Sequence, residues 1–247
     1  MKVPRLRPDV QLNFADREVT IKLVYYGPAL SGKTTNLRAL HELSSEESRG
    51  RLMTLETRDD RTLFFDMLPL VFRSEGGADG GMSVRLKVFT VPGQVLHAAT
   101  RRLVLQGADG VAFIADSQVS ETENNAASFL DLRANLKELG VSLKELPLVI
   151  QFNKRDLPNV RPDDELARLA SRGREPVYCA VAVKGEGVLE TFFGLLDLVW
   201  KKLEAEHHLS AKIGIGADQL LLLVAAKLGL AEPVATLVRR RVGGGAP

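Results

Sequence analysis

Two hydrophobic rhythms alternate along this chain, and they predict alternating strands and helices. Residues 19–26 are rich in β-branched and aromatic side chains and read as a strand. In 35–43, Leu37, Leu40 and Leu43 return at helical spacing. Residues 63–73 and 84–91 read as two strands joined by a glycine-rich turn at 76–81, a hairpin with a loose tip. A helix is expected at 97–106. Residues 109–115 form a nearly unbroken apolar run, the pattern of a strand buried on both faces. Residues 121–139 place Phe129, Leu132, Leu136 and Leu139 on one helical face, and Gly140 ends that helix. Another buried strand at 146–152, a short helix at 162–171 and a last strand at 176–182 follow. The amphipathic helix 188–203 carries Leu189, Phe192, Leu196, Val199 and Trp200. Residues 1–17 are polar, hold Pro4 and Pro8, and read as an arm; residues 44–61 read as a long polar loop. The alternation predicts an α/β fold: a mostly parallel sheet, helices on both faces and one antiparallel edge strand from the hairpin. Ligands of such sheets sit at the carboxyl ends of the strands.

The first strand runs directly into Gly27-Pro28-Ala29-Leu30-Ser31-Gly32-Lys33-Thr34, which has the form G-x-x-x-x-G-K-T, and a helix follows. Strand, glycine loop and helix together are the setting in which this motif binds phosphate. Its backbone N–H groups turn inward, the helix N-terminus adds partial positive charge, and Lys33 adds a full one. The Thr34 hydroxyl suits Mg²⁺. Gly27, Leu30, Ser31, Gly32, Lys33, Thr34 and Thr35 are the candidate phosphate contacts.

Composition narrows the class only a little. The 33 Lys and Arg nearly balance the 31 Asp and Glu, which argues against nucleic acid as the main partner. Cys179 is the single cysteine, so an internal disulfide is excluded and the cytosol is the expected compartment. It lies in an apolar run and reads as a packed strand residue. The four histidines show no metal-ligand spacing. The N-terminus has no apolar segment of the secretory kind, and the apolar run 220–226 is too short to span a bilayer.

The strand 148–152 delivers Asn153-Lys154-Arg155-Asp156, about 120 residues after the phosphate loop. This N-K-x-D resembles the guanine-specificity motif of Ras-like GTPases. The chemistry agrees: one carboxylate can accept from both the N1–H and the exocyclic amine of guanine. Adenine lacks that donor pair, so a buried Asp156 would reject it. The Lys154 stem can cover the base and Asn153 can tie loops together. Where the family often has S-A-K after the last strand, this chain has Val181-Ala182-Val183; the Ala182 N–H is the expected donor to the guanine carbonyl.

Ras-like proteins carry D-x-x-G-Q at the end of the hairpin, where this chain has Thr90-Val91-Pro92-Gly93-Gln94. The threonine also occurs in MglA-type bacterial GTPases, small Ras-like proteins of cell polarity and gliding motility. The similarity to them covers 19–200 and includes Arg61-Thr62-Leu63-Phe64-Phe65-Asp66, Ala115-Asp116-Ser117-Gln118 and Asn153-Lys154-Arg155-Asp156-Leu157-Pro158. The resemblance implies that Gly93 meets the γ-phosphate, Gln94 orients the attacking water, Arg61 acts as an intrinsic arginine finger, and Thr62 reaches Mg²⁺ and the γ-phosphate. It further implies GTP/GDP and Mg²⁺ as ligands, a roadblock-type MglB-like activating protein, polarity or motility effectors, and clustering at a cell pole. The carboxylate missing at position 90 can be sought by geometry. Asp66 and Thr90 lie equally far from the hairpin tip near Ala78, so they should face each other, and Asp66 would supply the charge.

These readings divide the chain into an arm (1–17), a Ras-like P-loop domain (18–204) and a helical extension (205–247). In the extension, apolar segments at 218–230 and after Pro233 precede Arg239-Arg240-Arg241. They suit docking on the domain itself, a partner's groove, or peripheral contact with an anionic membrane surface. The leading function is a GTPase switch. A non-hydrolysing guanine-nucleotide scaffold and an ATP-using enzyme are the alternatives; Asp156 argues against the last.

Overall fold

The fold comes from a computed structural model, which describes residues 11–13, 18–55, 65–73, 83–93, 98–214, 216–230 and 232–242. The strands are β1 (Gln11–Asn13), β2 (Glu18–Tyr26), β3 (Met53–Leu55), β4 (Phe65–Arg73), β5 (Ser83–Thr90), β6 (Gly110–Asp116), β7 (Leu148–Asn153) and β8 (Val177–Cys179). They form one sheet in the order β3-β4-β5-β2-β6-β7-β8, with β1 beside the start of β2. β2, β5, β6, β7 and β8 are parallel, while β4 runs antiparallel to both β5 and β3. The helices are α1 (Lys33–Leu43), α2 (Ala98–Leu105), α3 (Thr122–Glu138), α4 (Asp163–Arg172), α5 (Val188–His207), α6 (Leu209–Ile213), α7 (Ala217–Lys227) and α8 (Val234–Arg239).

Alternation along the strands sorts the core into two layers. Ile21, Leu23 and Tyr25 of β2 point to the face covered by α1, α5 and α7; Val24 and Tyr26 point to the face covered by α2, α3 and α4. β6 is buried at every position, as its apolar run requires.

Three stretches differ from the sequence reading. The expected arm contains β1, which pairs antiparallel with β2. The expected long loop contains β3, which lies outside β4, so the antiparallel strand is second from the edge. Both added strands are three residues long. They are held by backbone pairing, and too short to show a hydrophobic alternation. The third difference is in the last strand: the expected 176–182 shortens to β8, because 182–184 turns into a single 3₁₀ turn.

The extension docks on the domain. Leu220, Leu221, Val224, Ala225 and Leu228 of the α7 region and Val234 and Leu237 of α8 are buried in the same core as α1 and α5. α7 packs against α5 and β4, and α8 against α5. Tyr178 donates its hydroxyl to the Val238 carbonyl (3.2 Å), and the Val242 N–H donates to the Val177 carbonyl (2.7 Å). Arg240 is paired with Glu190 and Glu232. Among the described residues no helix is long and apolar enough to cross a membrane.

Candidate functional site

Five parallel strands end on one side of the sheet, and the sequence motifs meet there. β2 ends in the phosphate loop, and α1 begins at Lys33 directly behind Gly32. Gly32 has φ 97, and a Cβ there would stand 2.1 Å from the Asn153 amide nitrogen. Glycine therefore serves both the turn and the approach of a second motif. Leu30 holds φ 61 without being glycine, and its side chain is almost fully exposed. Ser31 is buried, while Thr34 and Thr35 are half-buried on the first turn of α1.

Lys33 is buried, and its ammonium donates to the carbonyls of Gly27 (2.9 Å) and Pro28 (2.6 Å). Burial, and then the positive charge of Arg101, pulls its pKa from the ordinary 10.5 to about 8. Arg101 is itself buried and bridges to Asp131 at 2.8 Å.

The carboxylate absent from position 90 is supplied across the hairpin. The pairing of Met67 with Phe89 puts Asp66 opposite Thr90. The Asp66 N–H donates to Thr90 Oγ1 (2.9 Å), and Thr90 Oγ1 donates back to Asp66 Oδ2 (3.2 Å). The same Oδ2 accepts from the Thr34 hydroxyl at 2.6 Å, and Oδ1 accepts from Thr54 of β3 at 2.9 Å. The unforeseen β3 thus helps to orient the carboxylate. One carboxylate beside three hydroxyls is an all-oxygen donor set, which fits Mg²⁺ held largely through water. Among the described residues no cluster of three His, Cys, Asp or Glu offers a different metal site.

Asn153 ends β7 and joins two loops. Its Nδ2 donates to the Ser31 carbonyl (2.9 Å), and its Oδ1 accepts from the Ala182 N–H (3.0 Å). The Ala182 donor expected for guanine is therefore engaged by Asn153, because the last loop folds close over the end of β7. Lys154, at φ 65, pairs with the buried Asp116 at the end of β6 (2.6 Å). Asp156 is exposed, not buried as its proposed selectivity assumed. The motif turns back at Lys154–Leu157, and that turn carries Asp156 outward. Cys179 is half-buried, and burial pushes its thiol pKa up, as suits a packing residue.

The end of β5 reaches the phosphate loop directly. A Cβ on Gly93 would stand 2.4 Å from the Ala29 nitrogen and Cα. Arg61, Thr62 and Gln94 lie outside the described residues, as does the 76–81 turn.

Sequence reasoning gave no role to Asp116, which anchors Lys154, nor to Asn36, Gln151 and Thr191, which form a buried network below the loops. Gln151 was the available signal: a polar residue in the middle of a strand buried on both faces.

No family model matches the chain. Over 193 residues it is 45% identical to the mutual gliding-motility protein MglA of Myxococcus xanthus (strain DK1622), an alignment covering 78% of this chain and 97% of that protein.

Proposed function

The chain belongs to the MglA-type small GTPases and has their Ras-like α/β fold, and on that premise we propose that it is a GTP-hydrolysing switch of cell polarity or gliding motility. The observation that carries this reading is the 2.6 Å bond between Thr34 and Asp66. A threonine at position 90 is one feature that leaves room for a non-hydrolysing scaffold, and what supports hydrolysis is the Asp66 carboxylate beside the hydroxyl that the phosphate-loop motif assigns to the metal.

In this reading the backbone of 27–35 and Lys33 hold the phosphates, Gly93 closes on the γ-phosphate, and Lys154, Asp156 and the 182 region receive guanine. Thr34, Asp66 and Thr62 hold Mg²⁺, which when bound neutralises charge on the phosphate oxygens. Gln94 orients the attacking water. Arg61 offsets charge on the transferred phosphoryl group, an effect of about 10³–10⁵ in rate in related systems. In such a switch the segments that carry Thr62 and Gln94 would respond to the presence of the γ-phosphate. A roadblock-type activating protein and polarity or motility effectors read that response, in the cytoplasm and at a cell pole.

The test is single-turnover hydrolysis of bound GTP with the activating protein present. Arg61→Ala and Gln94→Leu should each retain GTP affinity and lose hydrolysis. Wild-type rates in both variants would overturn the assignment.

A further inference from the structure

A guanine nucleotide has to reach two loops that different strands carry. Asn153 joins them directly, donating to the Ser31 carbonyl and accepting from the Ala182 N–H. One layer deeper lies a second connection that no ligand can touch. Gln151 precedes Asn153 by two residues on β7 and so shares its face. Gln151 and Asn36 exchange two hydrogen bonds: Asn36 Nδ2 donates to Gln151 Oε1 (2.9 Å), and Gln151 Nε2 donates to Asn36 Oδ1 (3.0 Å). The second Nδ2 proton of Asn36 goes to the Gly32 carbonyl in the phosphate loop (3.0 Å). The second Nε2 proton of Gln151 goes to Thr191 Oγ1 (2.8 Å), whose own proton goes to the Gly187 carbonyl (2.8 Å). Gly187 closes the base-side loop: it sits at φ 73, and a Cβ there would stand 2.1 Å from the Cys179 carbonyl oxygen.

Every side-chain proton in this chain of groups is used, and Asn36, Gln151 and Thr191 are all fully buried. A complete buried network costs desolvation that an apolar core would avoid, so it adds specificity of position more than stability. Its two ends are Gly32, at the turn into α1, and Gly187, at the start of α5. One end belongs to the phosphate loop and the other to the loop on the base side.

We propose that Asn36, Gln151 and Thr191 are positioning residues that fix the phosphate loop relative to the base loop. Affinity for a ligand spanning both loops then depends on a brace that the ligand never contacts. The inference rests on the guanine-nucleotide reading above. Because the groups are paired with one another, replacing both amides by apolar side chains of similar shape leaves no orphaned amide and should nearly preserve stability.

The experiment compares the full-length wild type with Asn36→Leu/Gln151→Met and with the size-preserving Thr191→Val. It measures the dissociation rate of fluorescent GDP in Mg²⁺, the affinities for guanosine alone and pyrophosphate alone, and the denaturation midpoint. GDP should leave the double variant roughly tenfold faster or more, the scale lost when an outer support of a binding group is removed. Guanosine and pyrophosphate, which each use one loop, should change by less than about twofold. Thr191→Val should shift the same way by a smaller factor, and it carries the test if the double variant does not fold. Unchanged GDP release in a folded variant overturns the inference, as does an equal loss for all three ligands. A wild type that holds no GDP overturns the guanine-nucleotide reading, and the inference with it.

Discussion

Asp66 receives the Thr34, Thr54 and Thr90 hydroxyls and stands where the sequence lacks its expected acid. Asp66→Asn keeps the size and removes the charge. Magnesium-dependent retention of GDP should fall by about 10–100-fold, the range typical when support of a metal ligand is lost. Thr90→Asp in that background should restore part of it, because the carboxylate returns on the facing strand. Stopped-flow release at several Mg²⁺ concentrations checks this; a single variant that retains GDP like the wild type would remove Asp66 from the site. Lys33 gives the pH dependence. Its pKa falls to about 8 in the ligand-free fold, so the folded chain binds fewer protons than the unfolded chain between about 8 and 10.5. The cost of burying its charge is therefore present in full below pH 8 and is relieved as pH rises toward 10.5. Nucleotide phosphates would raise that pKa again. GDP binding should take up protons near pH 8.5, where Lys33 regains the proton it has partly lost, measured by calorimetry in buffers of different ionisation heat.

Among the elements, β4 and β5 connect the Asp66 carboxylate to the phosphate loop. Gly93, just past β5, has no room for a methyl group against Ala29. Gly93→Ala must displace one backbone or the other, and nucleotide affinity should drop while the domain stays folded; equilibrium binding and circular dichroism separate the two effects. The elements that could be read in the sequence were those long enough to carry a hydrophobic period: β2, β4 to β7, and α1 to α5. β1 and β3 could not, since backbone pairing holds them. The facing of Asp66 and Thr90 was legible because hairpin register is arithmetic about the turn. The exposure of Asp156 and the capture of the Ala182 N–H by Asn153 were not, because a motif states residue type and spacing, not how the following loop folds. Asn36 is a polar residue within α1, and its side-chain bonds to Gln151 and to the Gly32 carbonyl account for its burial.

At the scale of the molecule, the extension shares one core with the nucleotide-binding domain. α7 lies over α5 and β4, and β4 turns Asp66, Leu68, Leu70 and Phe72 to that same face. Leu220→Ala should lower stability by about 2–5 kcal/mol, the usual cost of a buried leucine cavity, in a single urea transition. Two separate transitions would show instead that the extension folds as its own unit. The same integration leaves the arginines after α8 partly engaged, with Arg240 bound to Glu190 and Glu232. Among the described residues, five parallel strands deliver the phosphate loop, Thr90, Asp116, Asn153 and the Ala182 turn to one end of the sheet. The most direct test of the function is phosphate release by the full chain in Mg²⁺, with GTP or ATP, with and without a roadblock-type activating protein. The account predicts slow release from GTP, a large acceleration by the partner, and none from ATP. GTP held without release under either condition, or release from ATP that excess GTP does not suppress, would contradict it.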